Sequence, residues 1–149
     1  MRRQKVFLIK SSQEIIRVAE WLRKLFLKQS SPDALVIGLV GELGAGKTTL
    51  VKALCRACQA KSGATSPSFV LLRTYSGKDN VLIHHLDAWR IKSPDMNQLG
   101  FKKMIKNQQA IVCVEWADRV RRVFPKKAVW LYFEHLSFNQ RRITAFYQQ

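Results

Sequence analysis

The segment that most restricts this chain is Gly41-Glu42-Leu43-Gly44-Ala45-Gly46-Lys47-Thr48, which matches G-x-x-x-x-G-K-[ST] at every fixed position. Ala34 to Val40, just before it, is a continuous apolar run, as expected for a strand buried on both faces of a sheet. A helix is predicted behind the motif, from about Lys47 to Gln59. A buried strand that passes through a glycine loop into a helix belongs in an α/β fold with a central mixed, partly parallel sheet flanked by helices. The loop also has chemical consequences. Glycines let successive backbone N–H groups curl inward as an anion nest, and the helix N-terminus adds the positive end of its dipole. Lys47 then reaches the β- and γ-phosphates of a nucleoside triphosphate, and the Thr48 hydroxyl is a hard oxygen ligand for Mg²⁺. The expected phosphate contacts are Glu42, Leu43, Gly44, Ala45, Gly46, Lys47, Thr48 and Thr49.

A metal at such a loop needs an acid, usually at the end of a neighbouring buried strand. The chain has only 10 acids, so the search is short. Glu115 ends the apolar run Ala110 to Val114, and Asp87 ends Val81 to Leu86. Either carboxylate meets the requirement, and the more uniformly apolar run favours Glu115. Asp118, in a basic segment, reads as a cap or a surface ion pair. Cys55-x-x-Cys58 has redox spacing, but it falls inside the helix behind the loop and reads as helix packing by small residues. His84 and His85 are adjacent on a strand and so point to opposite faces, which favours core or hydrogen-bonding roles over a shared metal. Trp116 is either a core aromatic or a platform against a nucleotide.

The remaining segments read as follows. Val6–Ile9 is a short strand, and Ser11 with Glu14 has capping-box spacing for a helix running to about Lys28. Phe69–Tyr75 and Val81–Leu86 flank turn residues and are expected to pair as a hairpin. Ser93-Pro94 reads as an N-cap followed by proline at the first helical position. A short basic helix through Arg121 and a closing pair of strands, Val129–Phe133 and Ile143–Phe146, complete residues 1–149 as one domain. No apolar run approaches the ~18–20 residues that span a bilayer. The apolar stretch after the basic start ends at Ile9, too short for a signal-peptide core. Three cysteines without framework spacing are consistent with a reducing, cytoplasmic setting.

Lys and Arg number 26 against the 10 acids, a net charge of +16. A field of this sign attracts polyanions, above all nucleic acid. The basic residues are spread in clusters along the chain, and both a solvated surface and an RNA-facing one fit that distribution.

Four motifs in order carry a resemblance: Gly41 to Thr49, then Ser66-Pro67-Ser68-Phe69, then His85-Leu86-Asp87-Ala88-Trp89-Arg90, then Val114-Glu115-Trp116. Together they resemble the TsaE (YjeE) family, small bacterial P-loop ATPases needed to make N6-threonylcarbamoyladenosine (t6A) in tRNA. The likeness runs from about Leu8 to Phe146. It implies a P-loop NTPase three-layer fold and a weak Mg²⁺-dependent ATPase. It also implies TsaD and TsaB as partners, the complex that transfers threonylcarbamoyl to tRNA. By position it implies that Lys47 and Thr48 bind phosphate and metal, with Glu115 as the Walker-B-like metal acid and Trp116 beside the nucleotide. Ser66-Pro67-Ser68 would be a switch-like loop and Asp87 an acid used in hydrolysis. The chain departs from the family pattern at Ser68, where threonine is usual, and at Ala88-Trp89, where Leu-Tyr is usual. Trp89 can stack as tyrosine does but offers no phenol oxygen. Arg90 is the nearest candidate for an arginine finger, with a structural ion pair as its other reading. Two other functions fit the residues: a nucleotide-gated tRNA-binding module with incidental hydrolysis, and a small-molecule kinase.

Overall fold

In the computed structural model, which describes residues 1–61 and 71–148, the apolar run before the glycine loop forms strand β2 (Leu35–Val40), with five of its six residues buried. Strand β1 (Arg2–Ile9) precedes it; β3 (Leu72–Ser76), β4 (Leu82–Asp87), β5 (Ala110–Glu115), β6 (Val129–Ser137) and β7 (Gln140–Gln148) follow. The described strands form one sheet in the order β1-β7-β6-β2-β5-β4-β3. Its middle is parallel: β2 lies between β5 and β6, and β4 continues beyond β5. Antiparallel pairs extend it on both sides. This is the mixed sheet expected from the sequence, and β2, and β5 up to Val114, carry apolar runs because both of their faces are covered.

Helices α1 (Ile16–Lys28) and α2 (Lys47–Ala57) cover one face, where Leu22, Leu50 and Leu54 pack on Ile37, Leu131 and Ile143. Helices α3 (Ser93–Gln98) and α4 (Phe101–Ile105), with a 3-10 segment at Ala117–Val123, cover the opposite face of the parallel strands through Met96, Phe101 and Val120. The result is the expected three-layer α/β arrangement. Among the described residues no helix is long and apolar enough to cross a membrane.

Local expectations shift in four places. Strand β1 starts at Arg2, not Val6, because pairing with β7 from Arg2↔Gln148 to Ile9↔Arg141 uses backbone groups and tolerates a polar sequence. The capping box at Ser11 does not form. The chain enters α1 through a 3-10 turn, Ser12–Ile15, and the Glu14 carboxylate accepts the Lys10 N–H at 2.8 Å instead. At α3 the cap is Lys92, whose carbonyl accepts the Asp95 N–H at 2.9 Å, so Pro94 sits one position deeper in the first turn. Helix α2 ends at Ala57, and Gln59 takes a left-handed conformation with φ 54°. The hairpin of β3 and β4 pairs antiparallel as expected, while Phe69, placed in its first strand, lies outside the described residues.

Cβ geometry at Gly41 shows how closely the loop is held to the sheet. A methyl group there would meet the Phe133 Cβ at 2.8 Å and its carbonyl oxygen at 3.0 Å, both on β6. Gly41→Ala is therefore expected to destabilise the protein by about 1–3 kcal/mol, the range for overpacking against backbone that cannot yield. Thermal unfolding would register this as a drop of about 2–4 °C per kcal/mol.

Candidate functional site

The glycine loop joins the C-terminal end of β2 to α2. Gly44 (φ 76°) and Gly46 (φ 107°) take left-handed conformations, Gly46 being the residue that caps α2. Their lack of Cβ makes this tight path open to the backbone. Lys47 opens the helix and is buried, 4% exposed. Its Nζ donates to the Gly41 carbonyl at 2.5 Å and the Glu42 carbonyl at 2.8 Å, and lies 4.1 Å from the centroid of the Trp116 ring. Burial pushes its pKa below the ordinary lysine value, against the opposing pull of the carboxylates of Glu115, Asp118 and Asp87.

Both candidate acids lie at this end of the sheet. Asp87 and Glu115 are register partners at the C-terminal ends of the parallel strands β4 and β5. The Thr48 hydroxyl donates to the Glu115 carboxylate, with oxygens at 2.9 and 3.0 Å. On its other side Glu115 Oε2 lies 2.5 Å from Nε2 of His85, a fully buried side chain. Asp87 is 8% exposed, and its Oδ1 accepts the Trp89 N–H at 2.9 Å, closing an Asx turn after β4. Sequence order placed these residues far apart; the fold brings Lys47, Thr48, Asp87 and Glu115 to one end of the sheet.

Among the described residues no three His, Cys, Asp or Glu side chains form a cage for a metal. Thr48 and Glu115 instead offer hard oxygen donors side by side where the glycine loop enters α2. That suits Mg²⁺, which keeps water and substrate phosphate among its ligands rather than an all-protein cage. A cavity of about 240 Å³ opens along the loop from Gly44 to Gly46, bounded by Ser11, Ser12 and Thr49 and by Phe138 and Arg141 near the β6–β7 turn.

Trp116 resolves into neither of its two readings alone. It follows β5 in a left-handed conformation (φ 57°), half-buried, with its ring against Lys47 and 4.3 Å from the ring of Trp89. The Arg119 guanidinium lies 4.2 Å over Trp89, extending the stack outward. Two secondary readings are corrected. Asp118 is exposed and forms no cap or ion pair among the described residues: its segment packs on the sheet through Ala117 and Val120, leaving the Asp118 side chain outward. Arg90 is exposed and likewise has no ion pair among the described residues. Ser66, Pro67 and Ser68 lie outside the described residues. The Cys55 and Cys58 thiols are buried in the core under α2, as the packing reading expects.

His85 is the site residue whose partner sequence reasoning missed. His84 and His85 do point to opposite faces: His84 Nδ1 meets Thr74 Oγ1 at 2.8 Å near the surface, while His85 faces Glu115. The available signal was the two-residue spacing from His85 to Asp87, which puts both on one face of β4. His85→Ala is expected to cost about 1–3 kcal/mol of stability by leaving the buried Glu115 carboxylate with the Thr48 hydroxyl alone. For the ATPase expected from the sequence, loss of this contact to Glu115 should lower turnover about 10-fold or more, with His85→Gln recovering part of both. Urea unfolding and steady-state hydrolysis check the two effects.

A glycine loop between a central parallel strand and a helix, with an acid at the end of the adjacent strand, defines a P-loop NTPase fold. The crystal structure of YdiB from Bacillus subtilis has the same fold: TM-score 0.75 over 99% of this chain and 87% of that one, at 23% identity. The family model described as threonylcarbamoyl adenosine biosynthesis protein TsaE matches residues 9–143, and the chain belongs to the TsaE family. The tRNA threonylcarbamoyladenosine biosynthesis protein TsaE of Aquifex aeolicus is 38% identical over 117 residues, covering 77% of this chain and 78% of that protein. Its namesake from Rickettsia conorii is 31% identical over 122 residues, covering 80% of this chain and 67% of that protein.

Proposed function

We propose that this chain is a Mg²⁺-dependent ATPase acting in the formation of t6A in tRNA, resetting a cytoplasmic TsaD–TsaB transferase complex by binding and hydrolysing ATP. The family supports the pathway. The observation that carries the enzymatic part is the Thr48–Glu115 hydrogen-bonded pair beside buried Lys47, at the N-terminus of α2. In this reading the backbone N–H groups from Glu42 to Thr49 cradle the phosphates, and Lys47 neutralises charge at the β- and γ-positions. Thr48 and Glu115 hold Mg²⁺, which supplies charge neutralisation at the phosphate oxygens. Asp87 is the register partner of Glu115 on the neighbouring strand and acts in orienting the attacking water. Trp116 walls the site beside Lys47. Phosphoryl transfer to water then relies on positioning and electrostatics rather than a covalent intermediate. The base occupies the cavity between Ser11, Thr49 and Arg141.

Co-purification of TsaD and TsaB homologues with the wild type and Lys47→Ala, in ATP, ADP or no nucleotide, tests the reading. Retention that depends on nucleotide and is lost in the variant is the expected result. Retention of neither partner under any condition overturns the assignment to that complex.

A further inference from the structure

On the α1 side the sheet is covered across β6, β7 and β1, where Phe7, Leu131 and Ile143 join the core. Among the described residues the opposite face of these three strands is covered only toward β6, where Tyr132 and Phe146 pack beside the core of Met96, Phe101 and Val120 and stay half-buried. Register fixes what lies there in rows: Trp130, Phe146 and Gln4; Tyr132, Thr144 and Val6; Glu134, Arg142 and Leu8. Of these only Trp130 is buried, and it lies under Phe124 at the end of the row nearest the 3-10 segment. Val6 and Leu8 are 49% and 54% exposed.

Aromatic rings and guanidinium groups alternate over this surface. Tyr132 meets Phe146 edge to face at 5.7 Å. The Arg2 guanidinium lies 5.2 Å over Phe146. Arg121 lies 4.0 Å over Trp130 and donates to the Tyr132 hydroxyl at 2.7 Å. A cleft at the rim adds Lys126 beside Arg2 and Arg121. The one carboxylate in the three rows, Glu134, is held by Arg142 at 2.7 Å. So the face presents cations and π-surfaces with no free acid.

We propose that this face of β1, β7 and β6 binds single-stranded RNA, with bases stacking over Phe146 and Tyr132 and phosphates on Arg2, Arg121 and Lys126. Rings on an open antiparallel sheet are a stacking platform for unpaired bases of any sequence. A guanidinium already lying on a ring marks the stacking position, since a base can share that planar cation. Paired RNA is a poor fit, because a flat sheet cannot enter the deep, narrow major groove of an A-form helix. An acidic protein would use the charges but not the rings. The net charge of +16 steers any polyanion toward the molecule, and the rings select the unpaired one. The proposal is independent of the nucleotide site, whose residues lie elsewhere on the chain.

Fluorescence anisotropy with a labelled single-stranded RNA of about 15 nucleotides, and with its blunt duplex, tests it. The single strand is expected to bind at least ~10-fold more tightly than the duplex, the value of roughly one stacked base. With three phosphates engaged, the slope of log affinity against log salt should be near about −2. Arg2→Glu with Arg121→Glu should weaken binding at least ~10-fold by removing two of those contacts. Lys24→Glu with Lys28→Glu, an equal charge change on exposed residues of α1, should alter it by less than ~3-fold. Val6→Glu places a charge on an exposed residue of the same face, one row from Phe146, and should weaken RNA binding while leaving ATP hydrolysis unchanged. Equal losses in the two double variants overturn the proposal, as do equal affinity for duplex, no binding at low salt, or wild-type RNA binding by Val6→Glu.

Discussion

Alanine at position 47 is expected to weaken ATP binding by about two orders of magnitude and to remove measurable turnover. A charge-assisted contact to phosphate in a water-poor site carries about 2–5 kcal/mol, and each 1.4 kcal/mol is tenfold in affinity. Lys47 is buried, so no exposed lysine can substitute by swinging in. Isothermal titration with ATP and Mg²⁺ reads the loss directly; affinity within threefold of the wild type would remove the lysine from the proposed site. Protein folding should survive the change, which separates this outcome from simple instability. The lowered pKa means that the unfolded chain holds this proton more tightly than the folded one. Between the folded value and 10.5 the unfolded state therefore binds more protons, and stability from this group rises with pH. Its slope is at most about 1.4 kcal/mol per pH unit. Lys47→Met should abolish that contribution, visible as a flatter stability profile in urea titrations just below pH 10.5.

Glu115→Ala is expected to cut Mg²⁺-dependent turnover by about 100-fold or more while weakening nucleotide binding by less than tenfold, since charge stabilisation at the transferring phosphate carries the larger share. The reason is geometric. The loop amides and Lys47 hold phosphate without Glu115, but Thr48 alone is a single protein ligand for the metal. The variant also strips two partners from its neighbours, Thr48 Oγ1 and His85 Nε2. A stability loss of about 1–3 kcal/mol follows from the buried imidazole alone. Glu115→Gln keeps an oxygen for Thr48 and should recover stability better than activity. Equal turnover in Glu115→Ala and the wild type would sink the metal role. Comparing kcat with ATP affinity across both variants separates metal chemistry from folding.

What the sequence made legible and what it hid divide along one physical line. Strands β2 and β5 were readable because double-sided burial forces an uninterrupted apolar run, and the acid at the end of β5 came with it. The glycine loop was readable because each fixed position answers a backbone or phosphate requirement. Contacts that depend on register between strands distant in sequence were hidden. Asp87 and Glu115 are neighbours only because β4 pairs with β5 in parallel, and the His85–Glu115 contact follows from the same pairing. The Trp89–Trp116 stack depends on two turns leaving adjacent strands toward each other. The polar half of β1 was hidden for a different reason. An outer strand is held by backbone pairing to one neighbour, so its first residues need no apolar pattern.

That outer strand has a bearing on how the molecule tolerates crowding. Among the described residues the sheet ends beyond β7 at β1, whose far edge has no strand beside it and can offer N–H and C=O groups to a passing strand. Arg2, Arg3 and Lys5 line that strand, so two copies approaching edge to edge bring like charges together before their backbones can pair. Concentrated protein is thereby kept colloidally dispersed at modest ionic strength. Salt that screens those side chains within a few ångströms removes the barrier, and sheet-to-sheet growth through β1 is then the route by which this fold would aggregate.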